Sequence, residues 1–306
     1  MREPPSHLTD ETVLAAVRDR WLPEVDAVEH VAVGFGAWHW RATVAGRPTL
    51  FVTLDRLGGR HTFDSLDAAY RGAATLASAG LGFVLAPSAT VDGAATVALG
   101  DDRLSATPWV EGTSGDGALR DPVEARRTAR MLDALHAAQP PAGLPRWTPL
   151  VGADLPDLIG HRVRTPWDSG PYAERARIAL EARLADLDRW VRRYLDLAGR
   201  TDPAGWVATH GEPHTRNQLR TTDGRTLLVD WESLKLGPRE RDLRYLVDQG
   251  HGARCRADPD PVEMLDLEWR LDEVAQYAEW FHAPHTGTES DRVALGGLLH
   301  ELERPG

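Results

Sequence analysis

Apolar and polar positions change rhythm about a third of the way along the chain. Near the start, Thr9-Asp10-Glu11 reads as a helix N-terminus, with a capping threonine and two acids in the first turn, and the helix is predicted to run to about Trp21. Period-two alternation follows over Ala27 to Val33, Trp38 to Val44 and Thr49 to Asp55. Ala45-Gly46-Arg47 marks a tight turn between the last two, which predicts a small antiparallel sheet. Phe63 to Ala79 predicts a helix ended by Gly80, and Ala89 to Val91, Ala95 to Leu99 and Ser105 to Val110 predict short strands. Glu111 to Gly115 reads as a flexible stretch, and the lobe boundary is placed there: residues 1–110 form one domain and 111–306 another.

Beyond it the rhythm is helical. Asp121-Pro122 predicts an N-cap and first helical proline, with the helix reaching about Ala138. Leu180, Leu184, Leu187, Val191 and Leu195 predict one long helix from about Ala173 to Ala198, and Asp260-Pro261 opens another with a regular three-four stripe ending at Phe281. One non-helical island, Trp206 to Trp231, interrupts these helices and contains a hairpin turned at Thr222-Asp223-Gly224. The expected class is α+β: a small antiparallel-sheet N-lobe and a larger, mainly helical C-lobe.

The island carries the candidate chemistry. Phosphoryl transfer needs a carboxylate to orient the attacking hydroxyl, and oxygen ligands for the hard cations that bridge the phosphates. In kinases an Asn follows the catalytic carboxylate by five residues, and an Asp lies on a later strand. Glu212 and Asn217 have that offset, and Asp230 follows across the hairpin. His210 reads as a brace for the loop backbone. His214 reads either as a brace or as a contact to phosphate or metal, and Asp242 as hydrogen-bonding support for the fold.

At these residues the chain resembles the aminoglycoside phosphotransferase and choline kinase superfamily. His210-Gly211-Glu212-x-x-x-x-Asn217 is similar to that family's catalytic loop, and Val229-Asp230-Trp231-Glu232 to its metal-binding strand end. Gly237-Pro238-x-Glu240-x-Asp242-Leu243 is similar to the segment that follows. The resemblance covers most of the chain, from Gly34 to Thr288, and within the superfamily it is nearest to the spectinomycin-type phosphotransferases. It implies a bilobal protein-kinase-like fold, ATP or GTP as phosphate donor, Mg²⁺, Glu212 as the catalytic residue, and Asn217 and Asp230 as metal ligands. It also implies nucleotide contacts at the glycine turn Gly34-Phe35-Gly36, at Thr53 on the third strand, and at the hinge around Trp109 and Glu111.

Two departures stand out. The family has Asp where this chain has Glu212, whose longer arm shifts the carboxylate. The third strand, Phe51-Val52-Thr53-Leu54-Asp55, lacks the lysine that holds the α- and β-phosphates. Arg41, Arg47 and Arg56 are the nearby stand-ins, and Asp64 and Asp67, the candidate acidic partners, read as helix-start acids. Lys235 is the chain's only lysine and lies past the metal strand, so it is not the third-strand residue.

Composition narrows the setting. The 306 residues suffice for two lobes. No apolar run approaches the ~20 residues of a membrane span, there is no signal-peptide core, and Cys255 is the only cysteine, which together read as a cytoplasmic protein. A net charge of −11 disfavours nucleic acid and anionic membranes and favours a cationic small-molecule substrate, though it is equally the charge of a protein kept soluble. From His251 onward twelve acids face five Lys or Arg; Glu268 and Asp272, with Trp269, are the candidate acceptor-binding residues, set against the plainer reading of a solvated helix face. The functions to be weighed are an O-phosphotransferase acting on an aminoglycoside or aminocyclitol, a choline or sugar kinase, and a pseudokinase that binds nucleotide or ligand with little turnover.

Overall fold

The computed structural model describes residues 1–34, 36–58 and 60–304. Packing divides the chain into two compact units. The first comprises Met1–Trp147 and Pro203–Ala257, the second Thr148–Asp202 and Asp258–Gly306.

The first unit opens with α1 (Asp10–Arg20), capped by the Thr9 side chain on the Thr12 N–H. Then come β1 (Ala27–His30), β2 (Trp38–Val44), β3 (Arg47–Asp55), α2 (Phe63–Ser78), β4 (Val97–Leu99) and β5 (Asp102–Pro108). The five strands form one antiparallel sheet in the order β1-β2-β3-β5-β4. Alternation along β3 decides its faces: Leu50, Val52 and Leu54 join Val13 and Val17 of α1 in one core, which turns Phe51, Thr53 and Asp55 to the other face. On α2, Leu66, Ala69, Tyr70, Ala73 and Leu76 pack with Leu228, Trp231 and Leu234, so this helix shares its core with the island.

Ala89 to Val91 is not a strand. Thr90 instead closes a turn, its hydroxyl meeting Asp92 and accepting the Ala94 N–H at 2.8 Å, and Val91 is left 72 % exposed. The stretch expected to be flexible contains β6 (Gly112–Ser114), which pairs with the island. After α3 (Pro122–Ala137), capped by Asp121, the first unit resumes with β7 (Val207–Thr209), β8 (Gln218–Thr221), β9 (Thr226–Leu228) and β10 (Lys235–Gly237). Strands β6-β8-β9 form a small sheet, and β10 pairs antiparallel with β7.

The second unit is helical: α4 (Leu155–Arg162), α5 (Ala173–Glu181), α6 (Leu184–Ala198), α8 (Pro259–His282) and α9 (Glu289–Glu303), with α7 (Glu240–Asp248) belonging to the first unit. The long helix expected over 173–198 is broken at Ala182 and Arg183. After the break α6 buries Leu187 and Val191 of the stripe together with Trp190, Tyr194 and Leu197, while Leu184 and Leu195 of the stripe are only partly buried. The helix α8 starts at Pro259, two residues before the expected proline, because Asp258 provides the cap. The α+β class expected from the sequence is thus present, sheet first and helices after. No helix among the described residues is long and apolar enough to cross a membrane.

Candidate active site

A ring of hydrogen bonds gathers the three predicted donors. His210 is fully buried, and burial lowers its basicity, leaving a neutral ring with one donor and one acceptor nitrogen. Nδ1 accepts the Glu212 N–H at 3.2 Å, and Nε2 donates to the Val229 carbonyl at 2.8 Å. Asn217 Nδ2 donates to the Glu212 carbonyl at 3.0 Å, and the Val229 N–H donates to the Asn217 carbonyl at 3.0 Å. Glu212, Asn217 and Val229-Asp230 are therefore tied together through one imidazole and one carboxamide. With its nitrogen turned to the loop, Asn217 has its oxygen left as a ligand atom.

Asp242 supports this ring from α7. Its fully buried carboxylate accepts the His210 N–H at 3.1 Å and the Gly211 N–H at 2.6 Å, and meets His136 Nε2 at 2.9 Å. Burial opposes its ionisation, but His136 and the Gly211 amide outweigh that and hold it below the usual carboxylate range. Gly211 itself has φ +96°, and the Arg241 guanidinium lies where a side chain would begin.

The carboxyls differ in state. Burial would raise Glu212, but the His214 ring and the Arg60 charge bring it down to about 2. His214 Nε2 stands 3.7 Å from Glu212 Oε2. Asp230 keeps an open side to solvent, yet desolvation by the surrounding protein and the Glu212 charge raise its carboxyl. Glu232 is raised well above its ordinary value by desolvation and by Asp230 and Glu212, and its Oε2 is a buried acceptor with no hydrogen-bond partner. Asp230 also has φ +69°, a costly conformation for a residue with a Cβ and one found at functional sites.

The donor set fits a hard divalent cation. Asn217 and Asp230 offer oxygens, and an orphaned Glu232 oxygen lies beside crowded carboxyls that a cation would relieve. Among the described residues no three His, Cys, Asp or Glu side chains form a ready-made metal cage, so an ion held here would draw further oxygens from phosphates and water.

On the sheet, Thr53 faces the island side, but its hydroxyl meets His39 Nδ1 at 3.2 Å, and no cation substitutes at this position among the described contacts. Arg41 pairs with Glu29, Arg56 lies over the Trp38 ring at 4.9 Å, and Asp67 turns to Arg71 at 2.9 Å. Between β3 and α2 the link is Tyr70 to Asp55. Gly34 and Gly36 have φ of +71° and +100°, and the His39 ring lies against Gly34; Phe35 falls outside the described residues. His39 stacks on Phe51 at 5.0 Å, and Phe51 is tilted against Trp109 at 6.2 Å. The Trp109 N–H is committed to the Thr49 carbonyl, and its indole donates to Glu111 at 2.7 Å.

The predicted acceptor residues lie in the second unit. Glu268 is buried and accepts the Tyr194 hydroxyl at 2.5 Å, Asp272 accepts from Gln276 at 2.8 Å, and Trp269 is half-buried. Sequence reasoning missed Tyr70, Asp55, His136 and Arg241. Their partners lie 15 to 106 residues away along the chain, and the only local hint was Asp55 closing a strand otherwise rich in apolar residues.

Taken together, the antiparallel sheet, the looped carboxylate and the Asn–Asp pair define a kinase-type phosphotransferase. The chain belongs to the phosphotransferase enzyme family, whose model matches residues 28–285. Among curated proteins it is similar to Protein StrN of Streptomyces griseus, 26 % identical over 294 residues that cover 92 % of this chain and 88 % of that one. Its fold is similar to that of spectinomycin phosphotransferase APH(9)-Ia, solved with ADP and spectinomycin, with a TM-score of 0.73, 14 % identity, and coverage of 97 % and 95 % of the two chains. It is also similar to a choline/ethanolamine kinase family protein from Mesorhizobium loti, with a TM-score of 0.54, 18 % identity and coverage of 92 % and 90 %.

Proposed function

We propose that this phosphotransferase moves the terminal phosphoryl group of ATP or GTP onto a hydroxyl of a small, amino-bearing acceptor of the aminoglycoside or aminocyclitol kind. The observation that carries the reading is the hydrogen-bond ring joining Glu212, Asn217 and Val229-Asp230. The net charge of −11 favours a cationic acceptor, and the similar folds include proteins solved with spectinomycin and with the amicoumacin kinase ligand Ami.

In this mechanism Glu212 orients the acceptor hydroxyl in line with the phosphorus. An ionised carboxyl at about 2 is a weak base, so it acts first as a hydrogen-bond acceptor. The negative charge of an arriving polyphosphate raises it, and the proton transfers as the new O–P bond forms. Asn217 and Asp230, with Glu232 beside them, would hold Mg²⁺, which supplies charge neutralisation for the phosphates. The His39, Phe51 and Trp109 rings form an aromatic cluster able to pack against the base.

Thermal shifts with ATP or GTP, with and without Mg²⁺, followed by a product screen over aminocyclitols, aminoglycosides and choline, test the reading. Magnesium-dependent stabilisation and a phosphorylated aminocyclitol or aminoglycoside are expected, with transfer abolished in Glu212→Gln. A second reading, a nucleotide-binding protein without turnover, is favoured by Thr53 and its His39 partner standing where a lysine is needed. Stabilisation without product from any acceptor would select it, and product from choline alone would select a choline kinase.

A further inference from the structure

The chain's one lysine stands beside the catalytic loop. In the β7–β10 ladder Lys235 lies opposite Thr209, the residue before His210, and the Thr209 hydroxyl donates to the Lys235 carbonyl at 3.0 Å. Glu212 follows Thr209 by three residues. Arg241 reaches the same turn from α7, its Nη1 fixed on the Thr209 carbonyl and hydroxyl at 3.2 and 3.1 Å and its guanidinium covering Gly211. His214 stands across Glu212 at 3.7 Å. His61, on the connection from β3 to α2, senses the same neighbourhood: burial, then the Lys235, Arg60 and Arg241 charges, lower it to about 4 against the opposing pull of Glu212. Basic groups thus gather around the loop that carries Glu212: His214 and Arg60 act on its carboxylate, and Lys235, Arg60 and Arg241 act on His61, which feels Glu212 as well.

These groups are not interchangeable. Arg241 is held on Thr209 and serves the loop backbone. Lysine is a compact point charge with three rotatable donors on a flexible stem, here mounted on a paired strand. Every other Lys or Arg position of the chain, 34 of 35, is arginine. A lone lysine at this place is consistent with a demand for that geometry.

We propose that Lys235 contacts the terminal phosphate of the nucleotide, supplying from β10 the positive charge that Thr53 does not supply from β3. This rests on the phosphotransferase reading above. During transfer the acceptor oxygen bonds to phosphorus, the bond to the β-phosphate oxygen breaks, and the hydroxyl proton goes to Glu212. Lys235 stays protonated throughout and balances charge on the moving phosphoryl group.

Calorimetric titration of the full chain with MgATP and MgADP tests this. Lys235→Gln is expected to weaken ATP by roughly 10- to 150-fold, the loss of one charge-assisted hydrogen bond, while ADP stays near wild type. Lys235→Arg should recover most of the loss. Equal weakening of both nucleotides, or of neither, overturns the assignment. Wild-type protein that binds no nucleotide overturns the phosphotransferase reading itself. Amine acylation read by peptide mass spectrometry needs no variant, since Lys235 is the only ε-amine: MgATP should slow its labelling several-fold more than MgADP, and equal rates overturn the contact.

Discussion

The Tyr70 phenol donates to the Asp55 carboxylate across 2.7 Å, joining α2 to β3 where a kinase pairs a lysine with an acid. Burial raises Asp55 to about 7; the Asp230 and Asp102 charges add to this, and the Tyr70 hydrogen bond pulls the other way. The sign follows from proton counting. Between the unfolded value near 3.8 and about 7 the native state holds a proton that the unfolded chain has lost, so stability falls as pH rises through that window and levels above it. The loss is at most about 4 kcal/mol. Asp55→Asn should flatten the curve, and Tyr70→Phe should move its midpoint upward. Melting temperatures from about pH 5 to pH 8 without divalent cations read this; parallel curves for wild type and Asp55→Asn would remove Asp55 from the account.

Asp242 gives the opposite slope. Its carboxyl is held low in the native state, so its contribution is present above the unfolded value and lost as pH falls through the native one. Asp242→Ala leaves the buried His210 and Gly211 amides without their acceptor, a cost of about 2–5 kcal/mol. His136→Ala removes one partner only and should cost less. Denaturant melts order the variants; an Asp242→Ala protein as stable as wild type would refute the brace.

How much of this was legible depended on distance along the chain. Glu212, Asn217 and Asp230 were readable as a group because a five-residue loop offset and one hairpin bring them together, and their ring of hydrogen bonds uses mostly backbone atoms. The caps at Thr9 and Asp121 were readable for the same reason. The Tyr70–Asp55 link was not, since it depends on how α2 packs against the sheet. Nor was Lys235: its nearness to the loop comes from the β7–β10 register, which pairs residues 26 apart. The apolar stripe through 180–195 hid the break at Ala182 and Arg183, because both halves satisfy it.

Gly211 offers a steric test of the loop. Its φ of +96° disfavours any Cβ, and the Arg241 guanidinium fills the space a Cβ would need. Gly211→Ala should therefore cost about 1–3 kcal/mol and most of the transfer activity. Adding Arg241→Ala relieves the clash but not the dihedral strain, so the double variant should regain only part of the stability. Full recovery would mean that φ at this position carries no strain.

Asp230 separates stability from function. Its φ of +69° strains a residue with a Cβ, and its carboxyl is crowded by Glu212 and Glu232. Glycine adopts that dihedral freely and removes one of the crowded acids. Asp230→Gly should thus melt higher than wild type without ligand, by a margin of about 1 kcal/mol in stability. The same variant should lose the extra stabilisation that Mg²⁺ gives in the presence of nucleotide, because a cation ligand is gone. Asp230→Asn keeps the side chain that tolerates the left-handed region and loses only the charge, so it should share the second effect and show less of the first. Retained magnesium dependence in both variants would detach Asp230 from the cation, and a lower unliganded melting point in Asp230→Gly would show that the side chain stabilises the turn more than its dihedral costs.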